Sequence, residues 1–228
     1  NSPSNPTGML YSKDELQAIA DVAIKHDIYV LSDEIYEKLT YDGSEHISIA
    51  TLSDAMYDRT IVVNGVSKAY CMTGWRIGYT AGPEEIIKAM ATVQSQETSN
   101  PTSISQKAAL AALTGSHDFL IPMIAEYDKR RRYVVKRLNA IDGVSCIEPK
   151  GAFYVFPNVS ALYGRSFNGK TINGSVDLCD YMLTEQLIAM VPGAGFGADA
   201  NCRISYAVSM EELEKSVDRF EAGIAKLI

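Results

Sequence analysis

A capped helix feeding one strand, with a second strand to follow, narrows the fold more than any other feature of this chain. Ser12 stands three residues before Glu15, the spacing of a capping box, in which each side chain covers a backbone N–H at a helix start. Leu16, Ile19, Ala20, Ala23 and Ile24 follow at helical spacing up to His26. The apolar run at residues 28–31 then reads as a strand that delivers Ser32 and Asp33 at its carboxyl end. Residues 60–63, Thr-Ile-Val-Val, read as a second, buried strand because their β-branched side chains suit a pleated surface. Helix and strand alternating in this rhythm predict an α/β fold with crossover helices. In open sheets of that kind ligands gather at the carboxyl ends of the strands.

The stretch after the second strand carries the chemistry. Gly65 and Ser67 let the backbone approach something closely, and Lys68 stands at the mouth of the strand. Arg76 opens a further short apolar run at residues 77–81. A partly buried lysine among small residues can act as a Schiff-base amine, and an arginine offers a planar fork that matches phosphate. Taken singly, each has an ordinary reading that outweighs chemistry: a lysine after a strand, an arginine starting one. Asp33 reads equally as a turn or cap residue, Tyr36 as a packing ring, and Arg203 as a solvent-facing strand residue.

Four blocks in one order change that balance. They are Asn5-Pro6-Thr7-Gly8, Ser32-Asp33-Glu34-Ile35-Tyr36, the Ser67-Lys68 to Gly74-Trp75-Arg76 frame, and Cys202-Arg203-Ile204-Ser205-Tyr206. Each is weak alone; together they span nearly the whole chain. In them the sequence resembles the class I/II aminotransferases of fold type I, and within that family the bacterial aspartate aminotransferases. The resemblance implies a pyridoxal-phosphate enzyme that moves an amino group from aspartate, or a similar amino acid, to 2-oxoglutarate. It implies that Lys68 carries the cofactor and shuttles the substrate's α-proton, and that Asp33 keeps the pyridine nitrogen protonated. Tyr36 and Asn5 would hydrogen-bond the ring's 3'-oxygen, Ser67 and Arg76 would clamp the phosphate, and Arg203 would grip the substrate's α-carboxylate, with Asn5 beside it. Amino acid and 2-oxo acid substrates and a homodimer of the full-length protein follow from the same likeness. Two other uses of the fold stay open: another pyridoxal-phosphate reaction (transamination of aromatic or neutral amino acids, or C–S β-elimination) and a non-catalytic effector domain of a regulator. The chain departs from many relatives at Gly65, where serine is common, and at Cys71.

The resemblance also implies that the chain is the C-terminal part of such a protein, because the Asn5 block opens it with no strand before. Residues 1–118 would then be the remainder of the cofactor-binding large domain with a mostly parallel sheet. Residues 119–228 would form a small α+β domain, with strands at residues 144–147 and 151–157, a polar loop at 160–174 and a closing helix from Met210. The chain's 228 residues are 46% hydrophobic, enough for a substantial core. Its formal charge of −7 argues against a nucleic-acid surface. No apolar run reaches membrane-spanning length, so a cytoplasmic protein with no membrane partner is expected. Four widely spaced cysteines suggest neither a metal pair nor a disulfide framework. Of the three histidines, His46 is expected at the surface, and none has a carboxylate or cysteine at useful sequence spacing. No metal site and no catalytic histidine are therefore assigned. The basic run at residues 129–132 reads as a solvated face or a set of ion pairs.

Overall fold

A computed structural model describes residues 1–228. The chain divides into two compact units. The first comprises Asn1–Ser4 and Met9–Pro122, and the second comprises Asn5–Gly8 and Met123–Ile228. The sequence-based boundary at residue 118 falls four positions before this division, and the short Asn5–Gly8 segment is exchanged into the second unit.

In the first unit, helix α1 (Lys13–Lys25) starts from the capping box anticipated at Ser12. The Ser12 Oγ accepts from the Glu15 N–H, and the Glu15 carboxylate accepts from the Ser12 N–H. Strand β1 (Val30–Asp33) pairs in parallel with β2 (Thr60–Gly65), so Asp33 lies opposite Val63 and both strands present their carboxyl ends at one edge. Strand β3 (Gly78–Ala81) returns antiparallel to β2. The sheet thus holds one parallel and one antiparallel pairing rather than a mostly parallel set. The physical reason is the link between β2 and β3. It contains only a 3-10 turn at Thr73–Trp75 and no helix long enough to carry the chain back for a parallel strand. Leu16, Ala20 and Ala23 from α1 pack with Ile49 and Met56, the latter on the short helix α2 (Asp54–Tyr57). Each large apolar side chain buried in this way contributes about 1.5–3 kcal/mol. Helices α3 (Glu84–Glu97) and α4 (Ser103–Thr114) complete the unit.

Helix α5 (Leu120–Leu138) begins in the first unit and continues into the second, crossing the division in its first turn beside Pro122. The second unit's sheet has the order β4-β8-β7, with β4 (Tyr154–Val155), β7 (Val191–Pro192) and β8 (Cys202–Ser205). Helices α6 (Ser175–Gln186) and α7 (Met210–Ala225) approach closely at Gly223, where a Cβ would stand 2.7 Å from Gln186 Cγ. Leu213, Val217, Phe220 and Ile224 form the buried face of α7.

Two expectations for this unit fail. Residues 144–147 do not form a strand; only an isolated bridge joins Ser145 to Asn158. The side chain of Asn139 donates to the Cys146 carbonyl and accepts from its N–H, occupying groups that a ladder would use. Residues 160–174 are not a plain loop either. They contain a hairpin of β5 (Ser166–Phe167) and β6 (Lys170–Thr171) that turns on Asn168 and Gly169, both with positive φ. Asn-Gly is a strong hairpin signal, and it was legible in the sequence. No helix is long and apolar enough to cross a membrane.

Candidate active site

In the first unit the candidate groups gather at the shared carboxyl edge of β1 and β2. The Asp33 carboxylate accepts from the Ile35 N–H at 3.1 Å, which fixes it at the turn leaving the strand. The Asp33 carbonyl accepts from the Ser2 N–H and from Asn1 Nδ2, each at 3.1 Å. Three residues on, Tyr36 is buried. Past the end of β2, Ser67 and Lys68 sit in a turn closed by the Cys71 N–H donating to the Lys68 carbonyl at 3.2 Å. Cys71 adopts a positive φ of 55° to make that turn. Lys68 Nζ lies 6.0 Å from the centroid of the Tyr36 ring, at the outer range of a cation–π contact. The structure therefore brings Lys68 to Tyr36 and sets Asp33 at the end of the neighbouring strand.

Arg76 is placed differently. It ends the 3-10 turn in the left-handed region (φ 52°, ψ 49°), is exposed, and donates to the Thr73 carbonyl at 3.0 Å rather than to another candidate residue. The adjacent Trp75 carbonyl accepts from Ser105 Oγ on α4 at 2.9 Å, which ties this loop to a helix. Gly65 and Gly78 face each other across the β2–β3 pair, and a Cβ on Gly65 would meet Gly78 Cα at 3.0 Å. That crowding favours glycine at position 65.

In the second unit, Asn5 and Arg203 meet directly. Arg203 on β8 donates from Nη1 to Asn5 Oδ1 at 2.8 Å. Its guanidinium also lies over the rings of Tyr154 at 4.6 Å and Phe196 at 5.4 Å, so aromatic faces and one amide hold the fork. Arg203 is half-buried, not the solvent-facing strand residue its type alone suggests. Because guanidinium only donates, the Asn5 amide oxygen must face it, which turns the NH₂ end away.

Asn5 is held by a support that the sequence did not disclose. The Gly8 carbonyl accepts from the N–H groups of Lys150 and Gly151 at 2.9 and 2.8 Å. Gly8 has a φ of 68°, and a Cβ there would stand 2.4 Å from Pro149 Cβ. Pro149 is fixed in turn by Arg131, which donates from Nη1 to its carbonyl at 2.8 Å. Arg131 has 0% side-chain exposure, and its remaining donors engage Asp128 and Glu148. The basic run thus contains one buried structural arginine; the signal available was Asp128 one helical turn before it.

His46 corrects another expectation. It is not at the surface: its side chain is 9% exposed, with Nε2 3.1 Å from Oε2 of the buried Glu34. Burial pushes the Glu34 carboxyl up, but His46, Ser48 and Ser32 together hold it below the usual carboxylate value. Local spacing does not reveal this pairing, because the two residues lie twelve positions apart on different loops.

The family profile for aminotransferase class I and II matches residues 1–220. The chain belongs to that family. Class I and II aminotransferases depend on pyridoxal phosphate. Aspartate aminotransferase of Bacillus subtilis is 47% identical over 226 residues, covering 99% of this chain and 56% of the relative. The aspartate/prephenate aminotransferase of Cereibacter sphaeroides is also 47% identical, over 100% of this chain and 57% of the relative. The crystal structure of the Rhizobium meliloti aspartate aminotransferase superposes with a TM-score of 0.95 at 46% identity, covering 100% of this chain and 57% of that one. An aromatic aminotransferase from Pyrococcus horikoshii gives 0.88 at 42% identity, over 97% and 58%. The chain therefore spans little more than half the length of the relatives it matches.

Proposed function

We propose that the protein is an aminotransferase that takes the amino group of aspartate, or a similar amino acid, and delivers it to 2-oxoglutarate. The observation that carries this reading is the placement of the Lys68 amine 6.0 Å from the Tyr36 ring, at the strand edge that also ends in Asp33. An amine, a phenol and a carboxylate on one sheet edge are the donor set that pyridoxal phosphate needs, so the residues present fit the group. When bound, it supplies an aldehyde that captures amines and a ring that takes up electrons released at a substrate's α-carbon.

The chain's own residues do the rest. Lys68 is the amine that attaches the cofactor and the base that moves the proton at the substrate's Cα. Asp33, acceptor-only when ionised, holds a proton on the ring nitrogen. Tyr36 donates from its phenol, and Asn5 from its amide NH₂, to the ring oxygen. Ser67 and Arg76 take the phosphate, Arg76 by turning its exposed guanidinium from Thr73. Arg203 receives the α-carboxylate in a two-pronged contact, its plane preset by Tyr154, Phe196 and Asn5. Residues 1–118 serve as cofactor domain and 119–228 as the smaller domain, in a homodimer of the whole protein. Transamination of aromatic amino acids is a second reading, favoured by the likeness to an aromatic aminotransferase.

The test is covalent. Full-length protein incubated with pyridoxal phosphate and reduced with borohydride should carry the cofactor's mass on the peptide containing Lys68. Label on Lys88 or Lys107 with Lys68 clean would overturn the assignment.

A further inference from the structure

Glu34, Glu37 and His46 converge in the first unit, outside the set of groups assigned to transamination. Each offers one ligand atom, and the three atoms lie within 4.8 Å of one another. Neither ring nitrogen of His46 has an aligned hydrogen-bond partner, although the side chain is only 9% exposed. Nε2 stands 3.1 Å from Glu34 Oε2, close enough for attraction yet not pointed along a hydrogen bond. With the Glu34 carboxylate as its near neighbour but no aligned hydrogen bond, the buried imidazole is only partly satisfied.

We propose that Glu34, Glu37 and His46 bind one divalent transition-metal ion, with Zn²⁺ the best match. Ligand atoms about 2.0–2.1 Å from a tetrahedral zinc stand roughly 3.3 Å from each other, close to the observed spacing of His46 and Glu34. One nitrogen and two carboxylate oxygens suit zinc, whereas calcium and magnesium favour oxygen alone. Glu34 is braced for such a role. Its Oε1 accepts from Ser32 Oγ at 3.0 Å and Ser48 Oγ at 2.6 Å, which leaves Oε2 on the side of His46. Outer partners of this kind orient a ligating carboxylate. Glu37 is the adaptable member: it is partly exposed and otherwise holds only Lys38 at 3.5 Å. It can swing inward, and its open side gives water the fourth position. The ordinary alternative is a buried imidazolium–carboxylate pair, which would leave Glu37 uninvolved. A metal here would brace the segment that carries Asp33 and Tyr36, and the proposal does not depend on the reaction assigned above.

Calorimetric titration of the chelator-stripped protein with Zn²⁺ tests it, in a Cys71→Ser background because Cys71 is exposed. One ion should bind per chain and raise Tm. Glu37→Gln and His46→Gln should each weaken binding at least about tenfold, the loss expected for disturbing a ligand set. Glu37 is not buried, so its variant should fold and remain decisive even if the histidine variant does not. Absence of zinc binding by the parent, or unchanged affinity and unchanged Tm response in Glu37→Gln, would overturn the proposal.

Discussion

Arg203 and Asn5, 198 positions apart in the chain, are joined by a 2.8 Å hydrogen bond from guanidinium to amide oxygen. The bond does two things at once. It fixes the plane of the fork between two aromatic rings, and it sets which end of the Asn5 amide is the donor.

Arg203→Lys should therefore cost more than its retained charge implies. The lysine keeps a cation but loses the planar fork and its stacking on Tyr154. A hydrogen bond to a charged group is worth about 1.5–3 kcal/mol, so kcat/KM should fall roughly ten- to a hundredfold. The fall should be similar for aspartate and for a neutral amino acid, since both carry the α-carboxylate. Steady-state kinetics on the two donors would check this; a loss confined to aspartate would mean that Arg203 reads the side chain instead.

Gly8→Ala should destabilise the second unit through backbone and contact together. The position has a φ of 68°, and the added methyl would lie 2.4 Å from Pro149 Cβ and 2.9 Å from the Gly151 carbonyl. Left-handed strain alone costs about 1–3 kcal/mol, and each kcal/mol is worth about 2–4 °C in Tm at this chain length. A Tm within about 1 °C of wild type would contradict the account, since it would place the cost below that range.

Acid should unlock the Glu34 cluster in a defined direction. Its folded-state pKa is lowered from 4.5 because His46, Ser48 and Ser32 outweigh the desolvation that raises it. A lowered carboxylate contributes stability that is fully present above its unfolded value and is lost as pH falls through the folded value. Glu34→Gln should thus be less stable than wild type at neutral pH, with the gap closing below about pH 4.5. Urea melts of both proteins with a chelator present would measure it, and a gap that stays constant down to pH 3 would refute the linkage.

Much of this protein is written locally. The Ser12–Glu15 capping box, the β-branched run of β2 and the apolar face of α7 lie within single elements, so short-range spacing forecasts them. The Asn168-Gly169 turn is equally local, but its flanking strands of two residues carry almost no periodicity. The residue types of the candidate site were also legible, since Asp33, Tyr36, Ser67, Lys68, Arg76 and Arg203 each sit in a recognisable block. Their surroundings were not. Arg131 looked like one more surface cation until Glu148 and the Pro149 carbonyl closed over it. His46 looked exposed until the chain folded it against Glu34, twelve residues earlier. Asn5 meets Arg203 three residues before a left-handed turn at Gly8 that packs against Pro149. Short-range pattern encodes which element forms and which face is apolar. Burial and pairing of polar groups depend on contacts between segments far apart in the chain, and these exist only once the whole chain has packed.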